Sequence, residues 1–327
     1  MAKKSMKKIL VTGAVGQIGS ELTMELRKKY GNDNVIAAGR KTKPSKTLEE
    51  SGPFVYFDIT DRRSVEPVVK QYDIDTIFNM AAILSATGEE KPLLCWNVNI
   101  NGLYNILEIA REHEMNRVFV PSSIAAFGPE TPRDLAPQET ILKPKTMYGV
   151  TKVAGELLGD YYFKRFNLDV RGIRYPGIIS SETPPGGGTT DYAVEIFYEA
   201  IKHKQYTCFV NKDTVLPMMY MPDCIKGTID LMEADVANLK HHCDFNLAAM
   251  SFSAGELAAE IKKHIPEFSC TYAPDFRQAI ADSWPKSIND TFAQEEWGWK
   301  PDYGLAAMTK DMLEKLSKKY EEGFLTH

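Results

Sequence analysis

Tyr148 and Lys152, in MYGVTKVAGE, stand four residues apart and so share one face of any helix that carries them. A free phenol has a pKa of about 10 and is a poor base at neutral pH. An adjacent ammonium favours the phenolate, and bringing the pKa to about 7 takes roughly 4 kcal/mol of differential stabilisation. Such a pair can take the proton of an alcohol. Spacing alone does not single it out, because Tyr198 and Lys202 in YEAIK repeat it; that pair reads as ordinary helix surface. Context separates the two. Upstream of Tyr148 an apolar strand runs into PSSIAAFG, bringing Ser122 and Ser123 to a sheet edge. A hydroxyl there can hydrogen-bond a substrate alcohol while Tyr148 takes its proton. Taken alone, two serines after a strand read as a helix or turn cap.

VTGAVGQIG sets Gly13, Gly16 and Gly19 between a strand and a helix. Gly13 permits the tight turn, Gly16 admits a pyrophosphate to the backbone, and Gly19 lets the helix pack close to the strand. The helix N-terminus then faces the phosphates. This is a dinucleotide site, and a positive nicotinamide ring in it would join Lys152 in favouring the Tyr148 phenolate. The second strand, where an acid should meet the adenosine ribose, ends AAGRK with Gly39, Arg40 and Lys41. A cation there suits a 2′-phosphate, and a solvated loop is the other reading, so these residues leave NAD and NADP both open. Asp58, in FDIT after the third strand, suits the adenine amino group.

A second glycine run, TPPGGGTTDYAVE, spans residues 183–195. Gly186, Gly187 and Gly188 can present bare backbone N–H groups, and Thr189 or Thr190 can cap the following helix, whose positive end suits a carboxylate. A turn and a cap without a ligand is the plainer reading. Asp191 reads equally as an ammonium partner and as a first-turn helix acid.

The elements that must position these groups follow from the pattern of apolar residues. From Lys8 to about Tyr175, strand-like runs alternate with helical ones: ILVTG (9–13), VIAA (35–38), FVYF (54–57), TIFNM (76–80), RVFVP (117–121) and DVRGIR (169–174). Between the first two, Ile18, Leu22 and Leu26 recur every four residues as a helix face. Strand, helix, strand at this spacing implies right-handed crossovers and a parallel sheet covered on both faces. The fold class is α/β, a doubly wound parallel sheet of the Rossmann type with a smaller mixed C-terminal substrate lobe. Residues 1–176 are expected to form the NAD(P)-binding domain, with 222–250 returning to it, and 177–221 and 251–327 to form the lobe. There Ala193, Ile196, Phe197, Ala200 and Ile201 share a helix face, and further helices are expected over 223–234, 254–264 and 305–320.

With 327 residues, 43% hydrophobic and 25% charged, the composition is that of a soluble globular protein. A net charge of −5 gives no global reason to expect nucleic acid or an anionic membrane as partner. Five scattered cysteines (Cys95, Cys208, Cys224, Cys243 and Cys270) favour a reducing compartment and argue against a disulfide framework or a zinc site, so no metal is expected. The basic start, MAKKSMKKILVTG, enters an apolar run too short for a signal-peptide core or a membrane span. Cytoplasm is the expected location, with a mitochondrial one left open by the lysines.

GAVGQIG, FDIT, NMAA (79–82), NVNINGLYN, PSSIAAFG, YGVTK and RYPG (174–177) together resemble the extended short-chain dehydrogenase/reductase family, which includes UDP-galactose 4-epimerase. The resemblance implies that Ser123, five residues before Gly128, is catalytic beside Tyr148 and Lys152. It further implies that Lys152 binds the nicotinamide ribose and that Asn99 orients the lysine through water. It extends the cofactor-binding set to Gln17, Ile18, Arg40, Asp58, Ile59, Met80, Ala81, Ala82 and Tyr175. The family runs many reactions, so substrate must be read elsewhere. AAILSATGE, the second glycine run with its helix, LPMMYMPDCI, FNLAAMSFS and PDFRQAIADSWPKSIND resemble the short-chain type of L-threonine 3-dehydrogenase. That closer resemblance implies oxidation of L-threonine to 2-amino-3-oxobutyrate with hydride transfer to NAD. It puts Ser85, Gly187, Thr189 and Thr190 on the substrate and makes Trp284 a pocket wall, for which core packing is the other reading. By analogy it implies a homodimer, formed by the helices after Pro92 and around Tyr148. Two alternatives stand beside it. A nucleotide-sugar epimerase or dehydratase would need a longer diphosphate site. A non-catalytic nicotinamide-sensing module need not keep Ser123, Tyr148 and Lys152 together.

Overall fold

The computed structural model describes residues 5–186 and 188–323. Its strands are β1 (Ile9–Thr12), β2 (Val35–Gly39), β3 (Phe54–Tyr56), β4 (Thr76–Asn79), β5 (Arg117–Phe119), β6 (Ser122–Ser123), β7 (Asp169–Arg171) and β8 (Ile173–Tyr175). They continue as β9 (Gly177–Ile179), β10 (Gln205–Cys208), β11 (Val215–Tyr220), β12 (Phe245–Asn246), β13 (Met250–Ser253) and β14 (Ser269–Tyr272). Six of them form a parallel sheet in the order β3-β2-β1-β4-β5-β7. The order reverses between β1 and β4, and in open α/β sheets that reversal opens a crevice at the carboxyl ends of the strands.

The inner strands β1 and β2 are near-continuous apolar runs because both faces of the sheet are covered there. Alternate residues serve opposite cores. Ile9, Val11, Val35 and Ala37 pack with Leu22 and Leu26 of the first helix, Gln17–Tyr30. Leu10, Ile36, Ile77 and Val118 pack with Val65, Val69, Ile106 and Leu107 on the other side.

The DVRGIR run is not one strand. It breaks at Gly172 into β7 and β8, where a Cβ would stand 2.4 Å from the Cys243 carbonyl oxygen and 2.5 Å from that of Val120. Squeezed between two backbones, the chain turns out of the main sheet. β8 then pairs in parallel with β6 on one side and β12 on the other. This bend carries Ser122 and Ser123 over the crevice.

In the C-terminal lobe β11 lies between β9, parallel, and β13, antiparallel, while β10 pairs in parallel with β14. The helix Tyr192–His203 buries Ala193, Ile196, Phe197 and Ala200 against Phe252, Leu257, Met308 and Leu316, with Ile201 at the margin. The helix Ala254–His264 begins at a reciprocal capping box of Ser253 and Glu256, and the helix Leu305–Glu321 closes the lobe. The helix Met221–Glu233 instead joins the core of the first helix, burying Ile225, Ile229 and Leu231 there. Among the described residues no helix is long and apolar enough to cross a membrane.

Candidate active site

The crevice begins where β1 ends. Gly13 adopts φ +62°, and a Cβ on it would meet the Ala81 nitrogen at 2.7 Å, so the position admits only glycine. A Cβ on Gly19 would stand 2.3 Å from the Gly13 carbonyl oxygen, which is how closely the first helix approaches the strand. Gly16, at the N-cap of that helix, offers its N–H groups no side chain. An anion can take that place. The Thr12 hydroxyl ties the ends of β1 and β4, donating to Asn79 Oδ1 (2.8 Å) and accepting from the Ala81 N–H (3.2 Å).

Two adjoining cavities open along this edge. One, of about 270 Å³, is lined by Gly39, Arg40, Asp58, Ile59 and Ala81. The other, of about 240 Å³, is lined by Gln17, Ile18, Gly19, Ser85, Ser123, Tyr148, Lys152, Tyr175, Thr189, Thr190, Asp191 and Trp284. Gly13, Gly16, Met80 and Ala82 line both, so the two form one elongated crevice. A dinucleotide fits this cradle, whose tightest point is the one a Cβ at Gly13 would fill.

At the first end, Asp58 Oδ1 accepts from the Thr60 N–H (2.9 Å) and hydroxyl (2.7 Å), and Oδ2 lies 3.6 Å from Arg40 Nη1. Burial opposes its charge, but Thr60 and Arg40 together hold the carboxyl below the usual carboxylate range. The acid missing from the end of β2 has a packing reason. A Cβ on Gly39 would lie 3.0 Å from the Phe54 ring, which would have to move to admit a carboxylate.

Tyr148 and Lys152 lie on the helix Met147–Phe166, which starts at a Thr146 cap on the Gly149 N–H (3.0 Å). This helix is pressed onto the turn after β6, since a Cβ on Gly149 would stand 2.2 Å from the Ala125 carbonyl oxygen. Tyr148 and Ser123 are thereby brought to the same wall of the inner cavity. Burial nonetheless pushes the phenol up to about 12, with Ser123 pulling it back. Lys152 is pushed down to about 8 by burial, with Cys95 and Glu156 opposing.

The expected ion pair between the two is therefore not the geometry found. Lys152 Nζ donates to the Pro121 carbonyl oxygen (2.7 Å) and lies 5.2 Å from the centre of the Tyr148 ring. A buried ammonium requires an acceptor, and a protonated phenol offers a poorer one than the carbonyl at the end of β5.

Asn99 does not line the crevice. It stands behind the pair, its amide donating to the Ile83 carbonyl (3.0 Å), Thr151 Oγ1 (3.0 Å) and Cys95 Sγ (3.4 Å), while Oδ1 accepts from the Ile83 N–H (2.8 Å). It shares with Asn79, Thr151, Lys152 and Glu156 a small cavity of about 20 Å³. That space suits about one water molecule.

Ser122 turns the other way from Ser123, donating to Glu156. Glu156 and the fully buried Arg174 are members of the site that sequence reasoning missed. Arg174 grips both Glu156 oxygens (2.9 and 2.8 Å) and also donates to the Gln138 carbonyl (2.9 Å) and Asn246 Oδ1 (3.2 Å). It thus locks the Tyr148 helix to β8 and β12. Two signals pointed there: Glu156 continues the four-residue spacing from Lys152, and Arg174 opens RYPG. Arg174→Met strands Glu156 as a buried, unpaired acid and is expected to destabilise the fold by about 3–5 kcal/mol. Urea unfolding checks this, and a midpoint equal to wild type would contradict it.

At the substrate end, Thr189 is buried with its hydroxyl 3.5 Å from that of Ser85, and Trp284 forms the wall at 6% exposure. The Tyr175 hydroxyl is bonded to Thr228, so this residue shows the crevice its ring. Gly187 lies outside the described residues. The second glycine run corrects two expectations. The Gly186 and Gly188 N–H groups are not bare, because both donate to Asp191 Oδ2 at 2.8 Å. Nor does a threonine cap the helix Tyr192–His203: Asp191 holds its N-cap position, with no side-chain capping bond. A carboxylate carried a few residues downstream on the same turn reaches these N–H groups at little entropic cost.

Tyr198 and Lys202 line a separate open groove of about 690 Å³ beside Glu195 and Glu199, which shares no residue with the crevice. Among the described residues no group of three or more His, Cys, Asp or Glu side chains is placed to hold a metal ion.

A dinucleotide cradle at the β1–β4 reversal, facing a serine, a tyrosine and a lysine, defines a class of proteins. Residues 9–248 match the NAD dependent epimerase/dehydratase family, and the chain belongs to it. Within that class it is 54% identical to the L-threonine dehydrogenase of Clostridium difficile, covering 97% of this chain and 99% of that one at a TM-score of 0.94. It is 49% identical to a monomeric L-threonine 3-dehydrogenase from a metagenome, covering 95% and 99% at a TM-score of 0.91. An uncharacterized epimerase/dehydratase of Staphylococcus haemolyticus is 50% identical, over 96% of this chain and 99% of the relative.

Proposed function

We propose that this protein is an NAD-dependent L-threonine 3-dehydrogenase, converting L-threonine to 2-amino-3-oxobutyrate. The observation that carries this reading is the size of the inner cavity. About 240 Å³, bounded by Trp284, Ser85 and Thr189, has to take the nicotinamide end and the substrate together. That suits a small amino acid beside the nicotinamide. End-to-end similarity to an L-threonine dehydrogenase supports the same choice.

Gly13, Gly16, Gln17, Ile18 and Gly19 would hold the pyrophosphate, Asp58 and Ile59 the adenine side, and Lys152 the nicotinamide ribose. Bound NAD would supply the acceptor for the hydride leaving the β-carbon. Ser123 holds the β-oxygen of threonine while Tyr148, as phenolate, takes its proton. Ser85, Thr189 and Thr190 orient the zwitterion, and Trp284 shields it from water. NAD is the proposed cofactor on the family match, the half-exposed Arg40 beside Asp58 being open to either nucleotide.

Residues 1–176 and 222–250 would serve the cofactor, and the remaining lobe the substrate. A homodimer fits the large apolar side chains exposed on the outer faces of the same two helical stretches: Leu93, Trp96 and Tyr104, with Val150, Leu157 and Tyr161. Cytoplasm fits five cysteines that are all free.

The test is absorbance of the reduced cofactor with L-threonine and either NAD or NADP, alongside UDP-sugars. Reduction of NAD by L-threonine is expected. No reduction with either cofactor would contradict the reading, and turnover of a UDP-sugar would favour the epimerase alternative.

A further inference from the structure

A half-buried carboxyl outside the reacting centre links the first helix to the turn after β9. Glu21 lies one turn beyond Gln17 on the first helix, and Ser180 is the first residue after β9. The Ser180 hydroxyl donates to Glu21 Oε1 (2.5 Å) and accepts the backbone N–H groups of Glu182 (2.9 Å) and Thr183 (3.3 Å). One fully buried hydroxyl thus fixes the turn by which the chain leaves β9 and pins that turn to the helix carrying the glycine fingerprint. We propose that Glu21 is a positioning residue for the substrate half of the site, acting through Ser180 rather than on the reacting atoms. The proposal rests on reading that half as the threonine pocket, because the pinned turn leads to Thr189 and Thr190.

The groups around Glu21 decide its charge. Glu182 faces it from the turn, Lys315 and Lys319 from the helix Leu305–Glu321, and Cys224 from the helix Met221–Glu233. Both lysines are engaged elsewhere. Lys319 Nζ donates to the Ser181 carbonyl (2.8 Å) and Glu182 (2.7 Å), and Lys315 pairs with Asp311 (2.7 Å), which also accepts the Tyr220 hydroxyl (2.5 Å). Cys224 is itself a buried thiol held protonated by burial. With no cation committed to it, Glu21 is governed by burial, which pushes it up to about 7; Ser180 opposes this and Glu182 adds to it. Below that pH the neutral carboxyl accepts from Ser180 without charge. Above it, a half-buried anion beside Glu182 is drawn toward water, and the turn loosens.

Hydrogen–deuterium exchange of the Glu182 and Thr183 amides, with no substrate present, tests this at pH 6 and pH 8.5. Glu21→Gln keeps a neutral acceptor for Ser180; Ser180→Ala removes the link. At pH 8.5 wild type is expected to exchange about five-fold faster than Glu21→Gln, the scale of one net hydrogen bond, and the gap should be smaller at pH 6, where the Glu21 charge is only partly developed. Ser180→Ala should exchange fast at both. In kinetics, the ratio of wild-type to Glu21→Gln KM for L-threonine should rise by a similar factor across this range, with kcat unchanged. Equal exchange in wild type and Glu21→Gln at pH 8.5 would overturn the proposal. Lack of threonine turnover would overturn the substrate reading instead, and the exchange result would still decide the role of Glu21.

Discussion

Tyr148→Phe is expected to lower kcat by about 10²–10⁴-fold while leaving the Kd for NAD within about two-fold of wild type. The substitution keeps the ring, and with it the packing of the Tyr148 helix on the turn after β6, and deletes only the oxygen. The size of the loss follows from the work the site does on that oxygen. From about 12, reaching a phenolate at neutral pH takes roughly 7 kcal/mol. The Lys152 ammonium beside the ring supplies part of this. The remainder has to come from the positive charge that oxidised NAD brings, so the base is active only in the loaded enzyme. Steady-state rates and calorimetric titration with NAD check both halves, and a variant keeping more than a tenth of wild-type kcat would contradict the role.

Lys152→Met should lower kcat by about 10²-fold, the low end of what a positioned proton-transfer group contributes, and should also weaken NAD binding through loss of the ribose contact. Met preserves the length of the side chain and removes its charge. The more telling readout is pH dependence. Burial holds the Lys152 ammonium down to about 8, so it is charged below that pH and promotes ionisation of its neighbour there. Without it, the limb of the pH–rate profile set by Tyr148 should move to higher pH. The two groups titrate as a coupled pair, so the displacement belongs to the pair rather than to either residue. An unshifted profile would show that Lys152 does not act on the phenol.

Much of this site is legible in the sequence because its signals are local. Gly13 is fixed by one tight turn, the sheet by apolar runs of strand length, and Tyr148 with Lys152 by one helical repeat. What escapes such reading is set by residues far along the chain. DVRGIR has the pattern of a single strand, and only Cys243, some 70 residues later, breaks it at Gly172. Lys152 turns to Pro121 because burial leaves it in need of an acceptor, which spacing cannot show. Asn99 shares a water-sized cavity with Lys152, but the amide bonds to Ile83 and Thr151 that fix it there give no sequence signal. Glu21 gives no sequence signal at all, being one more polar residue on an amphipathic helix until Ser180 comes to lie beside it. The Gly186 and Gly188 N–H groups are the opposite case. Asp191 was near enough in sequence to be seen, but two chemistries suited it equally, and geometry chose a third.

In the proposed reaction hydride leaves the β-carbon of L-threonine for bound NAD as Tyr148 takes the hydroxyl proton. L-Threonine deuterated at that carbon, turned over with NAD, tests it in one step by mass spectrometry of the reduced cofactor. The reduced cofactor should carry the deuterium in place of one hydrogen. Reduced cofactor formed without the label would contradict the account.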